Sequence, residues 1–326
     1  ILPSWLRFVV GVVDSEDIPL NISRESMQDS ALLRRMNGVL STRLIKWFAE
    51  QGKKDPAGYL SFYTEFQRFF KEGVCTDFMH QKEIMQLLRF ETSALDAGEY
   101  TSIDDYISRM PPEQGDKVYY LVTSSRAAAE SSAYMEVFRK RKMEVLYCFQ
   151  EIDDFVMQNA GTYGTKVLTS ASTADLTLPD DAKQPALPEE EADALAKWMA
   201  DEALAGKVSG VAMSRRLVDS PAVINEEGMS ASMRRFMSMV NQAEKAEMPK
   251  QKLELNPSHP VIKKLAHMRT ADAELATLVA HQLLDNALIG AGMLDDARPM
   301  LGRLTQLLDR SLGAGASPDS PSGGGG

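Results

Sequence analysis

The chain has 326 residues, 44% of them hydrophobic and 25% charged, and a net charge of −10. This composition is globular and long enough for two or three domains. The acidic balance argues against general nucleic-acid binding, which needs a basic surface, and no uncharged apolar run approaches the roughly 20 residues that span a bilayer.

Two cysteines, Cys75 and Cys148, are too few for a disulfide framework and point to a reducing compartment. The chain opens on Ile1-Leu2-Pro3 with no basic segment leading into an apolar one, so no signal or transit peptide is expected within it. In chain order, Trp5 to Val13 is β-branched and aromatic and predicts a strand, broken by Asp14 to Asp17. Ile18-Pro19-Leu20 runs extended, and Ser23 caps a helix continuing through Met27 and Gln28. Leu32, Leu33, Met36, Leu40, Leu44, Trp47 and Phe48 recur at helical spacing, and Tyr59, Phe62, Tyr63, Phe66, Phe69 and Phe70 form an aromatic stripe on a second helix. Val118 to Val122, Ala127 to Lys140 and Val145 to Phe149 read as strand, helix and strand, a βαβ unit with a parallel pair.

Residues 169 to 190 are rich in Ser, Thr, Ala, Pro and Asp and read as a linker or exposed excursion. Glu189-Glu190-Glu191 then suits a helix N-terminus, and that helix runs through Trp198 and Met199 to end near Gly206. A strand around Val208 to Met213, a Met-rich helix from Met229 to Val240, and helices over about Asp272 to Ile289 and Asp296 to Leu312 complete the ordered part. The Gly, Ser and Pro tail from Gly313 to Gly326 reads as disordered.

Familiar catalytic signatures are missing. No phosphate loop or Gly-x-Gly-x-x-Gly follows a strand, and the βαβ turn is Thr123-Ser124-Ser125-Arg126, without glycine. There is no Gly-x-Ser-x-Gly elbow, and His80, His259, His267 and His281 lie far apart, so no metal is expected. Three features carry chemistry. Arg24 follows the helix cap Ser23, where a cation opposes the helix dipole but a guanidinium and backbone N–H groups can converge on an anion. Met229, Met233, Phe236 and Met237 share one helix face, which suits either ordinary core or an adaptable apolar binding surface. The last two helices carry apolar stripes, with Leu275, Val279 and Leu283 on one and Met300, Leu301, Leu304 and Leu308 on the other. These could pack on their own domain or form a four-helix bundle with a second copy.

The run Leu6-Arg7-Phe8-Val9-Val10-Gly11-Val12-Val13-Asp14-Ser15-Glu16-Asp17-Ile18-Pro19-Leu20-Asn21-Ile22-Ser23-Arg24-Glu25 is similar to a middle-domain stretch of the ninety-kilodalton heat-shock chaperones. Val118-Tyr119-Tyr120 and Glu144-Val145-Leu146 resemble the same family's small αβα subdomain, and Arg216-Leu217-Val218-Asp219-Ser220-Pro221-Ala222 and Leu255-Asn256-Pro257 resemble its C-terminal domain. The resemblance covers about residues 1 to 312. Asn256 to Leu265, Asn286 to Gly292, Leu294 to Arg298 and Gly302-Arg303-Leu304 look most like the mitochondrial, tumour-necrosis-factor-receptor-associated branch and its bacterial relatives.

The resemblance implies the later part of an α/β middle domain, helix-rich and containing the βαβ unit, over residues 1 to 168. A linker would follow over 169 to 186, an α+β dimerisation domain over 187 to 312, and a tail over 313 to 326. It implies an ATP-dependent homodimer that assists folding of client proteins in the stress response, with unfolded clients as partners and neither nucleic acid nor membrane. ATP and magnesium would bind in an N-terminal domain outside the matched stretch, which alone would hold no cofactor and hydrolyse nothing. Arg24 would reach the γ-phosphate, supported by Asn21 and Gln28, while Met229, Met233, Phe236 and Met237 would meet clients. A mitochondrial location is implied, or the bacterial cytoplasm. The cytosolic members end in Met-Glu-Glu-Val-Asp, whereas this chain ends in glycines, so tetratricopeptide co-chaperones are not expected as partners. The rival from another class is a stand-alone dimeric scaffold with no link to ATP.

Overall fold

The computed structural model describes residues 1–14, 30–180, 184–226, 230–233, 250–294 and 296–313. They fall into two units, Ile1–Glu130 with Lys142–Ala171, and Ser131–Arg141 with the chain from Ser172 onward. The fold is mixed α/β and helix-rich, with one mixed sheet in each unit.

In the first unit, α1 (Ser30–Lys54) and α2 (Pro56–Thr76) are consecutive helices in contact, joined at Asp55. Asp55 Oδ1 accepts the Gly58 N–H at 2.9 Å and Pro56 occupies the first helical position, so the local sequence itself starts α2. Its aromatic stripe becomes core: Tyr59, Tyr63 and Phe70 are buried, and Phe62 and Phe66 pack against them. The expected strand from Trp5 to Val13 is absent. Ser4–Leu6 is a short 3-10 helix with Trp5 and Leu6 in the core, and Val10 and Val12 are 94% and 97% exposed. Among the described residues no strand pairs with this run, and β-branched residues without a ladder partner gain nothing from extension. Phe8 instead lies among the α2 rings, 4.9 Å from Phe66 and 5.1 Å from Phe69. Gly73 accommodates Trp5, since a Cβ there would come within 2.8 Å of the indole.

After α3 (Gln81–Met85), the unit builds a five-stranded sheet from β1 (Glu91–Thr92), β2 (Lys117–Val122), β3 (Leu146–Cys148), β4 (Thr162–Tyr163) and β5 (Lys166–Ser170), in the order β1-β3-β2-β5-β4. α4 (Ile103–Arg109) precedes β2. The expected parallel pairing is present, with Tyr120 opposite Leu146, and β5 adds a second parallel neighbour to β2, taking residues expected in the linker. The single crossover helix expected from Ala127 to Lys140 is two helices, α5 (Arg126–Ser131) and α6 (Met135–Arg141), and α6 belongs to the second unit.

α7 (Glu151–Ala160) packs along α2 and starts with a capping box between Gln150 and Asp153. Asp153 also meets Lys71 of α2 at 2.7 Å, both side chains almost wholly buried, and Lys71 donates to Gln67 and Gln150 at 3.0 and 3.2 Å. Burial pushes the Asp153 carboxyl up, and Lys71 pulls it back.

The second unit builds a three-stranded sheet, β6 (Gly210–Met213), β8 (Lys252–Leu255) and β7 (Ala222–Asn225), with β8 central, parallel to β6 and antiparallel to β7. Val211, Met213, Ile224, Leu253 and Leu255 alternate onto one face, where they meet α8 (Glu189–Trp198), α9 (Pro260–Ala271) and α10 (Ala273–Gly290) in a second core. Asp272 caps α10 by accepting the Leu275 N–H at 3.0 Å. α11 (Arg298–Gly313) follows.

Removing one member of the buried Lys71–Asp153 pair strands the other. Lys71→Met is expected to cost about 3–5 kcal/mol. Lys71→Met with Asp153→Leu is expected to recover all but the ~1 kcal/mol of the lost cap. Urea denaturation of both variants checks this, and equal losses in the single and double variants would contradict it.

Candidate functional site

Arg24, Asn21 and Gln28 lie outside the described residues, as do Met229, Phe236 and Met237. Of the expected client-binding face, Met233 is described. It is half-buried in the helical residues 231–233, with its N–H donated to Ser230 Oγ at 3.2 Å.

The two terminal helices are described almost completely, and they separate the expected dimerisation residues into two groups. Leu283 is buried in the core of its own unit, Val279 packs against that core, and Leu275 is half-buried. Leu283 thus faces the core of its own unit. On α11 Met300 is half-buried, whereas Leu301, Leu304, Leu308 and Leu312 are 55%, 37%, 55% and 76% exposed. Their spacing of three and four residues makes one apolar stripe about three turns long.

Polar ties hold α11 on α10 while leaving that stripe outward. The Arg303 guanidinium meets Asp285, and Arg310 pairs with Asp272 at 3.3 Å and Glu274 at 2.7 Å. Burial, then Lys207 and Arg303, hold the His281 imidazole below its ordinary value, which suits the Lys207 Nζ approach to Nδ1 at 3.4 Å. The exposed leucines are thus presented by a helix anchored through its other side.

The second constellation was not signalled as a site by any motif. On the far face of the small sheet, Glu254 accepts from Ser214 Oγ at 3.2 Å, Arg216 Nε at 3.1 Å and Asn225 Nδ2 at 2.7 Å. Arg216 also lies over the Tyr134 ring, and the Tyr134 hydroxyl donates to Ile224 O at 2.8 Å. Beside it, the buried Glu136 carboxylate accepts the N–H groups of Val218, Asp219 and Ser220 at 2.5, 3.0 and 2.9 Å, and the Ser220 hydroxyl at 2.5 Å. Asn256 grips the same loop by its carbonyls, donating to Val218 O and Ser220 O at 3.0 and 3.1 Å. Residues 216 to 222 and 255 to 257, distant in sequence, are thereby brought together, with Glu136 as the group that sequence reasoning missed.

At the β2–α5 turn, where an α/β sheet would receive a phosphate, Arg126 is committed to Glu91 at 2.9 Å, Glu130 at 2.7 Å and Leu95 O at 2.6 Å. Among the described residues no group of three His, Cys, Asp or Glu is placed to hold a metal, and no helix is long and apolar enough to cross a membrane.

Residues 1–322 match the family model described as Hsp90 protein. Among curated relatives, the chain is 44% identical to Chaperone protein HtpG of Desulfotalea psychrophila, covering 96% of this chain and 52% of that protein. It is 42% identical to Heat shock protein 75 kDa, mitochondrial, of Bos taurus, covering 96% and 46%. It is 41% identical to TNF receptor-associated protein 1 homolog, mitochondrial, of Dictyostelium discoideum, covering 96% and 44%. The chain spans about half the length of the curated relatives it matches.

The Glu136 clamp makes a definite prediction. Glu136→Gln keeps the shape but offers one acceptor oxygen and a repelling NH2 to four donors. It is expected to cost about 2–4 kcal/mol and to speed amide exchange at Val218, Asp219 and Ser220. Unchanged exchange at these three amides in the variant would contradict the clamp.

Proposed function

The chain belongs to the Hsp90 protein family, and from that premise we propose that it serves as the client-handling and dimerising part of an ATP-dependent molecular chaperone. In this reading residues 1 to about 168 act as the later part of an α/β middle domain, and residues 187 to 312 as an α+β dimerisation domain, joined by the expected 169–186 linker, of which Thr169 and Ser170 belong to β5. ATP with magnesium is bound, as the family resemblance implies, by an N-terminal domain outside the matched stretch. The setting is the mitochondrion or the bacterial cytoplasm, in keeping with the names and organisms of the relatives.

The observation that carries the reading is the leucine stripe of α11. Four leucines in line on an anchored helix expose apolar surface that a lone protomer leaves in water. An isologous pairing through a two-fold axis covers this stripe with its own copy. The interface consists of Leu301, Leu304, Leu308 and Leu312, with Met300 and Leu275 at its margin. Val279 and Leu283 support it from within the protomer. The Met229, Met233, Phe236 and Met237 face contacts unfolded clients through adaptable thioethers.

Sedimentation at micromolar concentration tests the dimer. The intact chain is expected to sediment as a dimer, and the double variant Leu304→Asp, Leu308→Asp as a folded monomer. A monomeric intact chain, or a variant that stays dimeric, would place the contact elsewhere.

Arg24 is tested in the full-length protein. Arg24→Ala is expected to slow ATP turnover by roughly 10²–10³ while leaving nucleotide affinity nearly unchanged, the pattern of a group that acts mainly on developing charge. Arg24→Lys is expected to rescue poorly, because a point charge does not reproduce the guanidinium fork. Normal turnover in Arg24→Ala would remove the proposed role.

A further inference from the structure

Between α1 and α2 the first unit leaves an open groove of about 270 Å³, lined by Trp47, Phe48, Gln51, Asp55, Gly58, Tyr59 and Phe62. This is below the usual range for a whole small-molecule ligand and near the size of one long side chain. Its aromatic walls are fixed. Phe48 and Phe62 stack at 5.4 Å, Trp47 stands edge-on to Phe48 at 5.2 Å, and the Tyr59 hydroxyl is tied to Leu87 O at 2.8 Å. Trp47 nevertheless remains 51% exposed, a large apolar surface held in water by a rigid helix.

Asp55 is the charged residue in this lining. Its Oδ1 is engaged by the Gly58 N–H, and no described residue donates a hydrogen bond to Oδ2. A Cβ on Gly58 would come within 2.2 Å of that Oδ2. Glycine in the first turn of α2, an unfavourable helix residue, therefore keeps the floor bare beside the carboxylate. Arg89 already lies over the buried Tyr59 ring, 4.9 Å from its centroid, so Trp47 is the aromatic side chain of the lining that stays largely open.

We infer that this groove is a docking site for an arginine side chain of a partner polypeptide, its guanidinium on the exposed Trp47 ring and paired with Asp55. Charge complementarity selects this occupant. Aromatic faces and a carboxylate both attract a cation, arginine stacks and forks where lysine does not, and a net charge of −10 draws basic segments. The inference rests on the reading of the chain as a binder of unfolded polypeptide and names which side chain of such a partner this unit takes.

The test titrates the intact chain with the tripeptide N-acetyl-Leu-Arg-Leu-amide and with its citrulline analogue, which has the same shape and no charge. The readouts are the Trp47 indole resonance, assigned by its loss in Trp47→Phe, and the Gly58 amide. The arginine peptide is expected to shift both saturably and to bind at least about fivefold more tightly than the citrulline peptide, within the range of a partly desolvated cation–aromatic contact. Asp55→Asn retains a good helix cap and is expected to bring the arginine peptide down to the citrulline level, while Trp47→Ala abolishes the Gly58 shift. Equal binding of the two peptides, full binding by Asp55→Asn, or no saturable shift would overturn the proposal. Suppression of aggregation is measured on the same variants. If suppression persists when the peptide fails to bind, the groove is lost and the chaperone reading stands. If the peptide binds and suppression is absent from the wild-type chain, the groove stands as a cation site and its client role is overturned.

Discussion

Three successive amides, those of Val218, Asp219 and Ser220, converge on one point in the second unit, and an anion has to occupy it. Glu136 is that anion. Three buried N–H groups without an acceptor would each cost on the order of 1–3 kcal/mol, so the loop holds its shape only while the carboxylate is there. Asn256 fixes the carbonyl side of the same loop, and its backbone N–H bonds to Pro221 O as β8 ends. Because β7 begins at Ala222, directly after the clamped residues, the clamp also sets where β7 enters its pairing with β8. Tyr134, in the break between α5 and α6, and Glu136, just after it, both bond within this unit.

The first unit solves a related problem with rings instead of charge. α2 carries its aromatic side chains along one face, and the residues around Trp5 and Phe8 cover part of that surface. Lys71, on the same helix, is buried at a point where apolar packing would be simpler. Its pairing with Asp153 is bound up with the start of α7, because one carboxylate serves both the cap and the cation. What these two cores leave outside is informative. Apolar surface remains on the outward stripe of α11 and at Trp47, on helices whose other faces are anchored, so neither can turn inward to hide it.

Much of this could be read from the sequence, and the failures have physical causes. The aromatic periodicity of α2, the parallel β2–β3 pair and both terminal helices follow from local pattern. Leu301, Leu304 and Leu308 were recognisable as one apolar stripe, although pattern alone could not say which face of each helix its own core would take; Leu283 is the case where the core took it. The run from Trp5 to Val13 misled because strand propensity says nothing about whether a partner strand exists. β4 and β5 were missed because a short strand beside a polar stretch gives little signal. Glu136 was invisible because its value lies in contacts 82 to 84 residues away, and a glutamate inside a helix ordinarily reads as solvated surface. Arg24, Asn21, Gln28 and most of the Met-rich face fall outside the described residues.

The central claim is that this chain handles unfolded polypeptide. Light scattering from a heat-unfolding test protein, mixed with an equimolar amount of the chain and no ATP, measures it most directly. The account predicts that aggregation is slowed and its final amplitude reduced in proportion to added chain. Scattering indistinguishable from that of the test protein alone, with the chain shown to be folded at the same temperature by circular dichroism, would contradict it.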